Sequence, residues 1–62
     1  MMLEEWFILI ILKQDNNITF QEIAGFTDVD LANNVATKLM DKLKQLAEPE
    51  GIDSKIVVYK KK

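Results

Sequence analysis

The side chains of this chain that could do chemistry are carboxylates, hydroxyls and lysines. The 62 residues include no cysteine and no histidine, and all eight basic residues are lysines. Without cysteine and histidine, the chain has no thiolate or imidazole metal ligand and lacks the usual base at neutral pH. Without arginine, it cannot clamp a phosphate group in bidentate fashion. Ser54 and Lys55 are adjacent in sequence, so they would not face each other as a nucleophile and its base would. We expect no enzymatic activity and no cofactor.

The nearest approach to a metal motif lies before the middle of the chain, where Asp28 and Asp30 are followed by Asn33. A calcium-binding EF-hand loop would need an oxygen ligand at Ala32, a glycine in place of Asn33 and a closing glutamate at Leu39. The sequence meets none of these three requirements. Acidic residues at the start of a helix are explained by the positive end of the helix dipole, so we expect no metal site.

Composition predicts one small globular domain over residues 1–62, since 48% of the residues are hydrophobic and 29% are charged. A protomer of this size should not hold a ligand pocket of about 300 Å³. The formal net charge of −2 makes nucleic acid an unfavoured partner. Arginine is absent while Lys, Asn and Ile are frequent, a bias typical of AT-rich genomes that hints at a viral or other mobile-element origin.

An apolar run, Trp6–Leu12, is preceded by Glu4 and Glu5 instead of the lysines of a signal peptide. Its seven residues cannot cross a bilayer, which takes about 20. The run is interpreted as a buried strand, and we expect a cytoplasmic protein without a membrane partner.

The element with the clearest periodicity is a helix from about Asp28 to Ala47. Thr27, with Asp30 three residues later, approximates a capping box, and Pro49 marks the end. At 100° per residue, one side of this helix is apolar, and its central residues are Leu31, Val35, Leu39, Leu43 and Leu46, flanked by Ala32, Ala36, Met40 and Ala47. Such a broad face needs a sheet or several helices beneath it.

Three segments have strand character: Trp6–Leu12, Ile18–Glu22 and Lys55–Lys60. The polar cluster 14–17 predicts a tight turn between the first two, and Gly25 suggests a bulge or the end of the second strand. The elements read β-β-α-β. Because the first strand is the most apolar, we predict an α+β fold with a three-stranded antiparallel sheet, strand order 2-1-3, and one helix packed on one face.

A second interpretation starts from Ile18–Ala24, Ile-Thr-Phe-Gln-Glu-Ile-Ala, which resembles the second helix of winged helix-turn-helix DNA-binding domains. The resemblance covers about seven residues. It implies that 3–13 is the first helix, 30–46 the recognition helix and 55–60 a remnant of the wing. Such a protein would be a DNA-binding transcriptional regulator, and its DNA-contacting residues would be Asn33, Asn34, Thr37 and Lys38.

The first strand is apolar on both sides, which one helix cannot cover. Trp6, Ile8, Ile10 and Leu12 would point one way, and Phe7, Leu9 and Ile11 the other. The sequence does not specify which of these sides the helix covers. The candidate interface, one of the two strand faces, consists of Trp6, Ile8, Ile10, Leu12, Val57 and Tyr59. We expect a non-enzymatic protein-interaction module that forms a homodimer through the helix-free sheet face, or else binds the surface of another protein.

Overall fold

The structure is a computed structural model that describes residues 4–60. Its element order confirms the predicted β-β-α-β arrangement. The strands are β1 (Trp6–Gln14), β2 (Asn17–Phe26) and β3 (Asp53–Lys60), and the helix is α1 (Val29–Ala47), followed by a 3₁₀ turn, Glu48–Glu50. In this part of the chain, no helix is both long enough and apolar enough to cross a bilayer.

The winged-helix interpretation is wrong, because the residues that it assigns to its first two helices form β1 and β2. Both segments are rich in β-branched and aromatic residues, which favour a pleated strand. As a helix, residues 6–12 would have apolar side chains on every side. As a strand they divide between two faces of a sheet.

A two-residue turn at Asp15 and Asn16 joins β1 to β2 and fixes their register. Asp15 has φ 55°, a left-handed conformation that Asp tolerates, and Gln14 pairs with Asn17 on either side of the turn. Near the other end, Trp6 pairs with Phe26 and Ile8 with Ile23, so that two residues of β2 stand opposite one of β1. The bulge contains Gly25 at φ 98°, as its position in the sequence suggested.

The sheet has the predicted order, β2-β1-β3, with β1 antiparallel to both neighbours. Both edges of the sheet are therefore formed by strands that have one neighbour within the described chain. Helix α1 carries the chain from one edge strand to the other and packs mainly against β3.

Helix α1 begins one residue later than the capping-box prediction. The N-cap is Asp28 and not Thr27, and the Oδ1 atom of Asp28 accepts a hydrogen bond of 2.8 Å from the backbone N–H of Asp30. Thr and Asp are both good N-cap residues. The negative charge of the Asp28 carboxylate is in addition stabilised by the positive end of the helix dipole. After the 3₁₀ turn, Gly51 at φ 74° reverses the chain into β3.

The core lies between α1 and one face of β1. It is formed by Ile8, Ile10 and Ala36, with Leu12, Ile23, Phe26, Val35, Leu39, Leu43, Ile56 and Val58 packed around them. Alanines let the helix approach the sheet closely, and Ala32 is fully buried. The predicted apolar face of the helix is wrong at two positions, since Leu31 and Leu46 are 52% and 70% exposed. The helix packs mainly against β3. Its buried residues are Ala32, Ala36 and Ala47, so the side that packs on the sheet is turned toward the alanines and away from these two leucines.

The protomer is a thin two-layer slab. Its Cα extents are 45 × 21 × 11 Å. Its radius of gyration is 13.0 Å, against about 11 Å for a compact domain of this length. Ile8 is the only large side chain that is fully buried among the described residues.

Candidate interaction surface

The sheet has one face against α1 and one face without a covering layer in the described chain, which we call the open face. Ile8, Ile10 and Leu12 belong to the core beneath α1. Because side chains alternate along a strand, Phe7, Leu9 and Ile11 lie on the open face. The structure thus answers the question of which side of β1 the helix covers.

The six candidate interface residues do not share one face. Trp6, Ile8, Ile10 and Leu12 are on the side of α1, whereas Val57 and Tyr59 are on the open face. The reason is the register between β1 and β3, in which Leu9 pairs with Val57 and Phe7 with Tyr59. Paired residues have their side chains on the same face, so Val57 and Tyr59 must be grouped with Phe7, Leu9 and Ile11. Which residues contact a partner stays a prediction.

Strand β2 adds two large apolar side chains that the sequence analysis missed. Phe20 pairs with Ile11, and Ile18 pairs with Lys13, so both side chains lie on the open face. They are 65% and 52% exposed, respectively. The two-residue turn contained the signal that could have found them, because pairing Gln14 with Asn17 sets the pairs of the hairpin as far as the bulge, including those of Ile18 and Phe20.

One end of the open face is covered by its own side chains. The rings of Phe7 and Tyr59 stack with centroids 5.5 Å apart and planes inclined by 23°. The Tyr59 hydroxyl donates a hydrogen bond to Oε2 of Glu22, so this side chain extends from β3 across β1 to β2. Phe7 is only 8% exposed as a result, although the helix is on the other side.

The other end of the open face carries an apolar cluster with no such cover. We call it the apolar patch, and it consists of Leu9, Ile11, Ile18, Phe20 and Val57. All three strands contribute to it. Leu9 and Ile11 are half-buried in the middle, and the exposed side chains of Phe20 and Val57 flank them. A flat surface of this kind binds by excluding water from apolar area.

Trp6 stands apart from this patch, on the α1 side at the end of the sheet. The Nζ atom of Lys60 lies 5.8 Å from the centroid of its ring and 3.2 Å from Oε1 of Glu4. The half-buried indole is therefore shielded by charged side chains of its own protomer.

The four residues that the winged-helix resemblance assigned to DNA contact do lie together. Asn33, Asn34, Thr37 and Lys38 are all exposed on α1. The Thr37 hydroxyl donates to the carbonyl oxygen of Asn33 at 2.9 Å, within the same helix. The structure holds them on a single long helix packed on a sheet, without the preceding helix that positions a recognition helix in a helix-turn-helix domain.

A cleft of about 460 Å³ lies between the second half of α1 and the start of β3, so the expectation of no pocket of this size is wrong. Met40 and Ile52 line it together with the lysines Lys13, Lys44 and Lys55 and the acids Glu48 and Asp53. Within residues 4–60, no group of three or more His, Cys, Asp or Glu side chains could hold a metal ion.

The open face is therefore suited to association through apolar contacts, and a few charged side chains border it.

In comparisons with protein-family models, curated proteins and solved structures, nothing matches this chain.

Proposed function

We infer that this chain is a non-enzymatic protein-interaction module that forms a homodimer through the open face of its sheet. The observation that carries this proposal is the apolar patch, in which Phe20, Ile18 and Val57 are exposed beside half-buried Leu9 and Ile11. Monomeric proteins rarely leave a contiguous apolar surface of this kind in water.

The exposed area of the protomer is large enough for an interface of standard size. The chain exposes 5023 Å², whereas a compact monomer of its mass would expose about 4,100 Å². The difference, roughly 900 Å², is close to the ~800 Å² that each partner buries in an interface of standard size. Covering one face of the slab would bring the exposed area of the protomer near the ordinary value.

Because the core of the protomer is small, we infer a permanent partner, which is bound whenever the chain is folded. At about 25 cal/mol per Å², burying a third of the excess area as apolar surface would contribute roughly 7 kcal/mol before the cost of association. That is comparable with the whole stability of a small domain, about 5–15 kcal/mol. A second copy is always available, and a two-fold axis lets the same surface serve both protomers.

Sedimentation equilibrium at micromolar concentration tests the proposal with two variants that add the same charge. Leu9→Glu adds a carboxylate at the centre of the apolar patch and should shift the protein from dimer to monomer. Asn34→Glu adds one on the exposed side of α1 and should leave the dimer unchanged. A wild-type protein that sediments as a monomer down to the detection limit would refute the homodimer.

A further inference from the structure

The edge strand β2 presents a row of backbone groups that no other strand of the described chain covers. Residues 17–22 are all exposed, and Glu22 is the only charged residue of the strand. Natural proteins protect such edges with lysines, prolines or a covering element. Strand β2 contains no lysine and no proline, and α1 packs mainly against the opposite edge strand. The edge formed by β2 is therefore accessible to a further strand.

The hairpin turn determines which backbone groups of β2 point outward. Gln14 and Asn17 close the two-residue turn, and the residues of such a closing pair are hydrogen-bonded to each other. Along an antiparallel pair, hydrogen-bonded and non-hydrogen-bonded positions alternate. The N–H and C=O groups that point away from β1 therefore belong to alternate residues, Ile18, Phe20 and Glu22.

The bulge limits the part of β2 that a further strand can use. Pairing with β1 is regular from Asn17 to Ile23, and it is interrupted beyond Ile23, where Gly25 lies in the left-handed region. An antiparallel ladder between two copies of residues 17–23 uses every one of these residues when it is centred on Phe20. A centre at any other residue leaves part of the segment unpaired. Ladder length thus selects one register without reference to charge.

This register brings compatible side chains together on both faces. Phe20 pairs with the partner's Phe20 on the open face, and Thr19 pairs with the partner's Gln21 on the face of α1. Ile18 pairs with the partner's Glu22. The two Glu22 carboxylates are about 14 Å apart along the strands, and each is engaged within its own protomer, in part by the Tyr59 hydroxyl. The register therefore places no like charges opposite each other.

We propose that β2 pairs antiparallel with β2 of a second copy, about a two-fold axis that is perpendicular to the sheet and centred on Phe20. We call this pairing the edge contact. It joins two three-stranded sheets into one sheet of six strands. Both edges of that sheet are then β3 strands, which carry Lys55 and Lys60 and discourage further growth. Because α1 packs mainly against β3, the two helices lie away from the junction.

The edge contact is a second interface in addition to the open-face homodimer, and it does not depend on that homodimer. It uses backbone groups of the edge, whereas the homodimer uses side chains of the open face. The ladder would contain about six hydrogen bonds between the two chains. Their net contribution is modest, because water satisfies the same groups in the free edge. We therefore expect open-face homodimers at micromolar concentration and association of these dimers through β2 at higher concentration.

Amide hydrogen exchange, followed by NMR as a function of protein concentration, tests the edge contact residue by residue. At millimolar concentration, the outward amides of Ile18, Phe20 and Glu22 should exchange about tenfold more slowly than at micromolar concentration. The amides between them bond to β1 and should be protected at both concentrations. Stacking of open faces alone would not slow every second amide of one strand.

Backbone N-methylation tests the hydrogen bonds themselves, since a chain of 62 residues can be made by chemical synthesis. N-methylation of Phe20 removes the central outward N–H and keeps the side chain. In sedimentation equilibrium, it should raise the dissociation constant for association beyond the dimer by about tenfold or more, because two central hydrogen bonds are lost.

N-methylation of Val58 is the matched control. The alternation along β1 makes the amide of Val58 an outward group of the other edge, β3. Because the edge contact does not involve β3, this modification should change the same dissociation constant by less than about threefold.

The outcomes separate the two interfaces. If N-methylation of Phe20 leaves association unchanged, or if the outward amides of β2 stay unprotected at millimolar concentration, the edge contact is refuted and the open-face homodimer stands. Leu9→Glu should remove the homodimer and keep the concentration-dependent protection of β2. If Leu9→Glu leaves the micromolar dimer intact while N-methylation of Phe20 dissociates it, the edge contact stands and the proposed function is refuted. A wild type that is monomeric at every concentration would refute both.

Discussion

Ile8 and Leu9 are neighbours in β1 and almost identical in chemistry, yet one is fully buried and the other is half-buried. Ile8 faces α1, where Ala36 lets the helix backbone approach. Leu9 faces the open side, where the nearest cover is the Tyr59 side chain at one end. The two faces of a single strand differ in what lies above them and hardly at all in their own residues. The apolar residues of a strand face therefore indicate that the face is packed against something. They do not indicate whether the covering layer is another part of the chain or a partner.

The largest expected effect comes from adding a charge to each face in turn. Ile10→Glu places an unpaired carboxylate in the core beneath α1, so it should abolish folding, as measured by far-UV circular dichroism. Leu9→Glu, one residue away, should mainly dissociate the dimer and keep the helical signal at high protein concentration. If dissociation and unfolding are coupled, the loss of structure in Leu9→Glu will depend on concentration, whereas that in Ile10→Glu will not. Equal behaviour of the two variants would remove the distinction between the faces.

A smaller effect should separate two leucines of the same helix. Leu39 packs against the core, and Leu39→Ala should reduce the free energy of unfolding in urea by about 2–3 kcal/mol. Leu46→Ala is the same substitution at a side chain that is 70% exposed, so it should cost less than about 1 kcal/mol. Thr37→Ala, on the exposed side of the helix, should stay within about 0.5 kcal/mol. A cost for Leu46 as large as that for Leu39 would show that this end of the helix is covered in solution.

The smallest effect concerns the end of the open face that the protomer covers by itself. Tyr59→Phe keeps the ring that stacks on Phe7 and removes only the hydroxyl, so it should cost about 0.5–1.5 kcal/mol in urea titrations. Glu22→Gln keeps an acceptor oxygen for Tyr59 and should cost less. A larger loss in Glu22→Gln than in Tyr59→Phe would mean that the charge of Glu22, and not this hydrogen bond, matters at that position.

Much of the fold follows from local patterns in the sequence. Asp15 and Asn16 favour a tight turn, which sets the hairpin register, and the strong apolar character of 6–12 places β1 at the centre of the sheet. The helix follows from its period of 3.6 residues. The N-cap was misplaced by one residue because Thr27 and Asp28 are both good caps, and only backbone geometry decides between them.

The candidate site was harder to predict, because it depends on non-local packing. The link from α1 to β3 contains a 3₁₀ turn and Gly51, and this link does not impose a register of β3 on β1. The grouping of Val57 and Tyr59 with Leu9 therefore emerged only in the folded chain. The exposure of Leu31 and Leu46 likewise reflects which side of the helix packs on the sheet, and residue periodicity alone does not specify that side. For the same reason, the sequence does not specify which face of β1 the helix covers.

The two edge strands of the sheet are protected unequally. Strand β3 carries Lys55 and Lys60, which discourage pairing with a foreign strand, whereas β2 has neither lysine nor proline along its ten residues. In a free protomer, the unpaired backbone of this edge would stand beside the exposed side chains of Ile18 and Phe20. Extended apolar segments of this kind are templates for aggregation and targets for chaperones and proteases. The lifetime of the unpartnered chain in a cell, as much as its affinity for a second copy, would then determine how much dimer accumulates.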